Sequence, residues 1–427
     1  MKIALYTLGC KVNQYETQAM EQELQSRGHT LVPFDGWADA YIINTCTVTA
    51  VSDKKSRNAI RRAKKLNPDA VVGVCGCYAQ VAPDKLKALE IDVLGGSGDR
   101  LGFLDLIEKE FEERCPVVAV DDVMARRDFE KLPAGGLSVR TRAMLKIEDG
   151  CVNFCSYCII PYARGRVRSL PMEDALAEVK RLAEEGYREI VLTGIEISSW
   201  GKDLPGDQTL ADLIEQVCLA VPAVRIRLGS LEPRTVTEAF CARLAPLPNL
   251  CPQFHLSLQS GCDATLRRMN RKYDTARYLE SVALLRQHFE RPAVTTDLIA
   301  GFPEETEEEF SQTLAFIERC AFAEMHVFPY SIRPGTPAAK MEQVEKCVKE
   351  ERAHRASALA QRMHETYLDG CIGETYPVLF EQEKDGASTG HAPNYMEVCV
   401  PEKGLHNQVK NVRITHRNGP VLLGELV

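Results

Sequence analysis

A chain of 427 residues has room for about three folding units at roughly 150 residues each. Hydrophobic residues make up 45% and charged residues 26%, a balance that excludes a disordered or collagenous chain. The formal net charge of −8 argues against non-specific attraction to polyanions, so a nucleic-acid partner has to be met by a local basic patch. The 16 Cys are too sparse for a disulfide scaffold. The opening MKIALYTLGC lacks the apolar core of a secretory signal, and nowhere do 18 apolar residues run together. A cytoplasmic location without a membrane partner is therefore expected, where thiols stay reduced and clustered Cys hold metal.

In chain order, residues 1–132 alternate apolar runs at 2–8, 40–44 and 70–74 with helical patterns over 14–27 and 52–66. That alternation predicts βαβ units around a parallel sheet, an α/β domain. A turn-rich boundary follows at Pro133-Ala134-Gly135-Gly136. The block 137–366 repeats the alternation six times, with apolar runs at 143–147, 189–192, 224–228, 253–258, 294–299 and 324–328. Six strand-helix units predict a partial (β/α)6 barrel of the TIM-like kind, in which ligands gather at the carboxyl ends of the strands. A second boundary falls at Asp369-Gly370. The remainder, 367–427, has short strand patterns at 375–381, 396–400 and 410–415 between turns, which predicts a small OB-like β-barrel.

The sharpest chemical signal is Cys151-Val-Asn-Phe-Cys155-Ser-Tyr-Cys158 in the loop after the first strand of the middle block. Three thiolates so close suit three irons of a four-iron cubane and leave one iron open. An open iron can chelate the amino and carboxylate groups of S-adenosylmethionine. A structural zinc knot needs a fourth ligand, and the nearby sequence has no further Cys or His. The amino-terminal block adds Cys10, Cys46 and Cys77, each just beyond a predicted parallel strand, so that chain-distant thiols meet at one carboxyl rim. These again suit a cubane, although Cys75 competes with Cys77 for the third place and buried Cys is common core filler.

The CxxxCxxC pattern with Tyr157 before its last Cys resembles the radical S-adenosylmethionine superfamily. The runs from Leu8 to Glu16, Asn44 to Thr49 and Gly76 to Gln80 resemble the methylthiotransferase family, and the likeness covers essentially the whole chain. That resemblance implies an amino-terminal cluster domain, a radical S-adenosylmethionine barrel and a carboxyl-terminal TRAM domain that binds tRNA. It implies two 4Fe-4S clusters, one on Cys10, Cys46 and Cys77 rather than Cys75, the other on Cys151, Cys155 and Cys158. It further implies a deoxyadenosyl radical, formed from S-adenosylmethionine, that abstracts hydrogen from an adenosine so that a methylthio group takes its place. The segments 192–196, 228–233, 255–261 and 296–303 also match the family and place Glu196, Ser230, Glu232, Ser257, Gln259 and Asp297 at strand ends; with Tyr157 these are the expected cofactor contacts. Thr193-Gly194-Ile195-Glu196 departs from the Gly-Gly-Glu that many radical enzymes carry there. No catalytic side chain is singled out.

The run Gly9 to Glu16 looks most like the bacterial subgroup that acts on threonylcarbamoyladenosine beside the anticodon of tRNA. Relatives act instead on isopentenyladenosine in tRNA or on an aspartate of a ribosomal protein, and a reducing partner such as flavodoxin or ferredoxin is implied for all of them. A different class, a non-catalytic iron-sulfur protein that binds RNA, would lack the radical loop. For RNA contact three basic or aromatic groups stand out: Lys54, Lys55, Arg57, Arg61, Arg62, Lys64 and Lys65 on a predicted helix; Arg164, Arg166 and Arg168 after the radical loop; and Phe380, Tyr395, Lys403, Lys410 and Arg413 in the tail. Gly95-Gly96-Ser97-Gly98 lacks the spacing of a dinucleotide fingerprint. Thr306 to Glu309 reads as a capping box. The other Cys, at 115, 218, 241, 251, 262, 320, 347, 371 and 399, read as packing.

Overall fold

The computed structural model describes residues 1–135 and 141–427, so Gly136 and residue 137, the expected start of the middle domain, lie outside the described residues. The described chain divides into two compact units. One takes in 1–135, 146–170 and 331–339; the other takes in 141–145, 171–330 and 340–427. The loop with Cys151, Cys155 and Cys158 therefore packs in the same unit as Cys10, Cys46 and Cys77, although the sequence assigns it to the middle block.

The first unit is built on a six-stranded sheet. Its strands are β1 (Lys2–Thr7), β2 (Thr30–Leu31), β3 (Ala40–Thr45), β4 (Val71–Gly76), β5 (Val93–Gly95) and β6 (Val117–Ala119). They are ordered β2-β1-β3-β4-β5-β6 and every pairing is parallel. β3 and β4 are buried along their whole length, which is why they read as unbroken apolar runs: helices cover both faces of a parallel sheet. β2, β5 and β6 span only two or three residues and escape period counting. Strand order reverses between β1 and β3, and ligands of open parallel sheets bind in the crevice outside the carboxyl ends at that point. A two-stranded hairpin, β8 (Glu148–Asp149) with β9 (Arg168–Ser169), closes the radical loop at its base.

The second unit holds β7 (Arg142–Lys146) up to Leu145, with β10 (Glu189–Thr193), β11 (Arg225–Leu228), β12 (Gln253–His255), β13 (Ala293–Ala300) and β14 (Glu324–Pro329). They form two three-stranded sheets, β11-β10-β7 and β12-β13-β14, linked by parallel bridges such as Leu231 to Leu256. These are the six expected strands of the half-barrel. The capping box at Thr306 is present: its side chain accepts from the main chain of Glu309, whose carboxylate accepts in return. Helix Lys346–Asp369 runs past residue 367 and ends at Gly370.

After it, β15 (Thr375–Lys384), β16 (Ala387–His391), β17 (Glu397–Val400), β18 (Val409–Asn418) and β19 (Val421–Leu426) close a five-stranded barrel in the order β15-β16-β17-β19-β18. Ala-Ser-Thr-Gly-His in β16 has no apolar alternation, which hides that strand from sequence reading. The barrel's core holds Val378, Phe380, Val398, Val412, Ile414 and Leu422. The expectation that Phe380 stacks on RNA fails, because its ring is fully buried. Tyr395 is half-buried, with His391 stacked at 4.7 Å and the Arg227 guanidinium 4.6 Å from its ring centre. Lys403, Lys410 and Arg413 remain exposed.

Candidate functional site

Cys10 follows β1 and caps helix Lys11–Ser26. Cys46 is the residue after β3, and Cys77 follows β4 and opens helix Cys77–Val81. All three lie at the carboxyl edge of the sheet, around the reversal between β1 and β3. Gly9 has φ +111°, and a β-carbon there would come within 2.9 Å of Cys46 Cβ, so only glycine lets the chain before Cys10 pass beside Cys46. Cys10 reaches solvent on one side, while Cys46 and Cys77 are buried. Crowding by protein atoms pushes all three thiols up, and each also feels the charge another would carry. Among the described residues no three His, Cys, Asp or Glu close on a point as one metal ion needs; a cubane spreads its three ligands over three irons and draws a wider triangle. Cys75 is set apart from this rim. It sits in an apolar cluster with Ile3, Ile42, Val71 and Val93, and burial pushes its thiol up to about 12.

Asn13, one turn into the helix after Cys10, organises the rim. Its Nδ2 donates to the carbonyls of Leu8 at 2.8 Å and Thr45 at 3.0 Å, so it ties the ends of β1 and β3 together. The turn after Cys46 is held by Arg333, which donates to Thr47 Oγ1 at 2.9 Å and to Asp53 at 2.6 Å.

In the radical loop Cys155 is buried, and Cys151 and Cys158 are half-buried. The Cys151 main-chain N–H donates to Gly165 O at 3.0 Å and that of Cys158 to Cys155 O at 2.9 Å, so the loop folds back on its own stem. A β-carbon on Gly150 would meet Arg166 O at 1.9 Å, which leaves glycine as the residue that lets the stem close. Phe154 and Tyr162 are exposed and meet edge to face at 5.8 Å. Tyr157 is half-buried.

The short helix Ile160–Arg164 ends in a buried Arg164. Its Nε donates to Cys77 Sγ at 3.2 Å and its Nη2 to Asn13 Oδ1 at 2.7 Å; Nη1 and Nη2 both bond Glu16, Nη2 at 3.1 Å. Glu16 also meets Arg100 at 2.7 Å and Lys146 at 3.5 Å. Although burial alone would raise it, the surrounding cations Arg100, Arg164 and Lys146 hold the Glu16 carboxyl far below the usual range. Asp149, beside Lys146, Arg164 and Arg168, is likewise held down, to about 2 despite burial. Arg164 and Arg168 do not serve as the expected ligands of RNA phosphate, because both are buried and committed inside the protein; Arg166 alone of the three is exposed. Gly96 and Gly98 have a plain structural part, since their carbonyls accept from Arg100 at 3.3 and 3.2 Å. Asn13 and Glu16 fall in the run from Leu8 to Glu16 that carries the resemblance, but the pairing of Glu16, of Asp149 in β8 and of Arg333 in a loop with residues elsewhere in the fold has no local pattern in the sequence.

In the second unit Glu196, Ser230, Glu232, Ser257 and Gln259 follow the carboxyl ends of half-barrel strands, whereas Asp297, expected at a strand end, lies within the longer strand β13. Glu196 lies three residues beyond β10 and accepts from Ser198 N at 3.1 Å and Ser199 Oγ at 2.6 Å. Ser230 is exposed, and Glu232 after β11 pairs with Arg234 at 2.9 Å. Ser257 and Gln259 follow β12, and Gln259 holds a left-handed φ of +69° while its N–H donates to Asp297 O at 2.9 Å. Asp297, in β13, lies 3.4 Å from His255. Of the Cys read as packing, Cys218, Cys241, Cys251, Cys262, Cys320 and Cys371 are buried; Cys115 and Cys347 are exposed and Cys399 is half-buried, so those three do not fill a core.

Residues 2–96 match the Uncharacterized protein family UPF0004 and residues 145–317 the Radical SAM superfamily. The threonylcarbamoyladenosine tRNA methylthiotransferase MtaB of Bacillus subtilis is 40% identical over 434 residues, covering 100% of this chain and 96% of that protein. The tRNA-2-methylthio-N(6)-dimethylallyladenosine synthase of Symbiobacterium thermophilum is 34% identical and covers 100% and 94%. Among solved structures, the radical S-adenosylmethionine methyltransferase TsrM from Kitasatospora setae, with cobalamin and a 4Fe-4S cluster bound, matches with a TM-score of 0.57 at 14% identity, over 91% of this chain and 80% of that one. At that identity the likeness is one of fold.

Proposed function

The chain belongs to the radical S-adenosylmethionine tRNA methylthiotransferases, and we propose that within this family it places a methylthio group on C2 of N6-threonylcarbamoyladenosine beside the anticodon of tRNA. The observation that carries the reading is the packing of both thiol triads in one compact unit, with Arg164 running from the stem of one to a sulfur of the other. We assign Cys10, Cys46 and Cys77 to an auxiliary cluster and Cys151, Cys155 and Cys158 to the radical cluster. The donor sets fit: two groups of three thiols, each short of the four that a closed site takes. When bound, the clusters and S-adenosylmethionine supply a carbon radical and a store of sulfur, which an aryl C–H calls for because it offers no acidic proton for acid–base chemistry.

The chain's own residues do the holding. Asn13 fixes the spacing of the strand ends that carry Cys10 and Cys46. Tyr157, Glu196, Ser230, Glu232, Ser257, Gln259 and Asp297 are the proposed contacts of S-adenosylmethionine. The exposed Phe154–Tyr162 pair offers a surface on which a flipped-out base can stack. The barrel over 367–427 is read as a TRAM domain, and its exposed Lys403, Lys410 and Arg413, with the basic face of helix Ala50–Leu66, as the grip on tRNA phosphates. No helix among the described residues is long and apolar enough to cross a membrane. The site of action is proposed to be the cytoplasm, and the electron donor a protein such as flavodoxin or ferredoxin. The relative named for threonylcarbamoyladenosine is the more similar, at 40% against 34%, and favours that substrate over dimethylallyladenosine.

Nucleoside mass spectrometry of tRNA from a strain lacking the gene tests the substrate: loss of the methylthio derivative of threonylcarbamoyladenosine is expected, and an unchanged level rejects it. Two variants test the clusters. Cys155→Ala should abolish deoxyadenosine formation, whereas Cys46→Ala should retain it and lose methylthiolation. Methylthiolation surviving in Cys46→Ala would reject the auxiliary role.

A further inference from the structure

Arg164 belongs by sequence to the radical loop, as the last residue of the helix that follows Cys158. Its guanidinium directs its side-chain hydrogen bonds elsewhere. Nε points at Cys77 Sγ, and the two terminal nitrogens are divided among Glu16, Asn13 and Asp149, the last at 3.5 Å. The side chain is completely shielded from solvent. Its main chain is held too, since its carbonyl accepts from Arg168 at 3.0 Å and the neighbouring Ala163 carbonyl accepts from Ser97. A cation clamped in this way has one available position.

We propose that Arg164 is a positioning residue for the auxiliary cluster, setting its reduction potential through a charge-assisted N–H···S bond to Cys77 and thereby tying the electronic state of one thiol triad to the stem of the other. The inference rests on the reading of Cys10, Cys46 and Cys77 as cluster ligands. Hydrogen bonds to ligand sulfur and nearby positive charge withdraw electron density and favour the reduced cluster. Glu16 offsets only part of this effect, because its charge is shared with Arg100 and Lys146 and it bonds the two terminal nitrogens of Arg164, leaving Nε to the sulfur. Lysine cannot replace the fork: one ammonium group lacks the planar geometry that serves Cys77, Asn13 and Glu16 together.

The test uses the full chain with Cys151, Cys155 and Cys158 all changed to Ala, reconstituted without oxygen, so that only the auxiliary cluster is observed. Its midpoint is read by EPR-monitored redox titration with Arg164, Arg164→Lys and Arg164→Gln. At a fixed poise the ratio of reduced to oxidised cluster should fall about tenfold in the Gln protein, a shift of about 59 mV to more negative potential for a one-electron couple. The Lys protein should fall between the two. Should Gln lose its iron, Lys decides the matter: a lower midpoint supports the assignment and an unchanged one overturns it. Equal midpoints in all three proteins, each retaining iron, mean that Arg164 serves the fold alone. A parent protein that takes up no iron refutes the ligand assignment itself, and the inference falls with it.

Discussion

Glu16 in the first unit and Glu189 in the second are both buried carboxylates set among guanidinium groups. Glu16 meets Arg100, Arg164 and Lys146; Glu189 meets Arg225 at 2.6 Å and Arg227 at 2.8 Å. In each case several charge-assisted bonds offset the cost of taking ions out of water. They differ in what the arginines do with their remaining donors. Arg164 reaches a cysteine sulfur. Arg225 and Arg227 reach main-chain carbonyls of the carboxyl-terminal barrel, those of Pro377 at 3.0 Å and Pro393 at 2.9 Å. One physical device thus serves a rim of cysteines in one unit and the seating of the carboxyl-terminal barrel in the other.

The comparison can be broken most forcefully at Glu16. Glu16→Gln leaves Arg100, Arg164 and Lys146 buried without their shared carboxylate, and a change of that kind typically costs about 3–5 kcal/mol. Thermal unfolding of the metal-free protein should show that loss, and iron uptake should fall with it. Glu189→Gln should be of similar or smaller size but fall elsewhere: full iron content and deoxyadenosine formation retained, with faster hydrogen exchange over 375–426. If Glu189→Gln emptied the clusters, the division of labour drawn here would be wrong.

The same contrast has a pH signature. Despite burial, Arg227 and Arg225 hold Glu189 at about 2, below its ordinary 4.5. A depressed carboxyl contributes stability that is present above the unfolded value and lost as pH falls through the folded one, so the window runs from about 4.5 down to about 2 and the contribution is about 3 kcal/mol. Acid titration of unfolding should be shallower in Glu189→Gln than in the wild type by this share, the slope that remains in the variant coming from other depressed carboxyls such as Asp149. Tyr395→Leu, which removes the ring held between Arg227 and His391, should cost about 1–2 kcal/mol and leave the clusters untouched.

Strands and thiols are legible where chemistry follows a short period or a fixed spacing. β3 and β4 announce themselves as apolar runs, and Cys10, Cys46 and Cys77 stand just beyond strands that periodicity finds. What stays hidden is long-range pairing of charge. Glu16 sits 148 residues from Arg164 and 84 from Arg100, and on the helix that carries it no local pattern separates a buried ion from a solvated one. Arg164 and Arg168 read as phosphate ligands for the same reason. Phe380 misleads in the opposite sense, because alternation over 375–381 fits either face of a small barrel and the closure by β16 and β19 that decides between them leaves little trace in composition.

The exposed arginines and lysines of helix Ala50–Leu66 supply the control for both networks. At 100° per residue, positions 54, 55, 61, 62 and 65 fall within one arc of about 120°, while Ser56, Ala59, Ile60 and Ala63 are buried on the other side. Arg62 pairs with Asp35 across the surface; Lys54, Lys55, Arg61 and Lys65 point into solvent and span about 17 Å along the axis at 1.5 Å per residue. Nothing buried depends on them, so changing Lys54, Lys55 and Arg61 to Gln should move stability by no more than about 0.5 kcal/mol. A polyanion would feel the change. If this face grips tRNA phosphates, the triple variant should bind tRNA more weakly, and the slope of log Kd against log salt should drop by about 0.7–0.9 for each phosphate no longer neutralised. The same slope in variant and wild type would remove this helix from the tRNA-binding surface and leave the carboxyl-terminal barrel to hold the substrate.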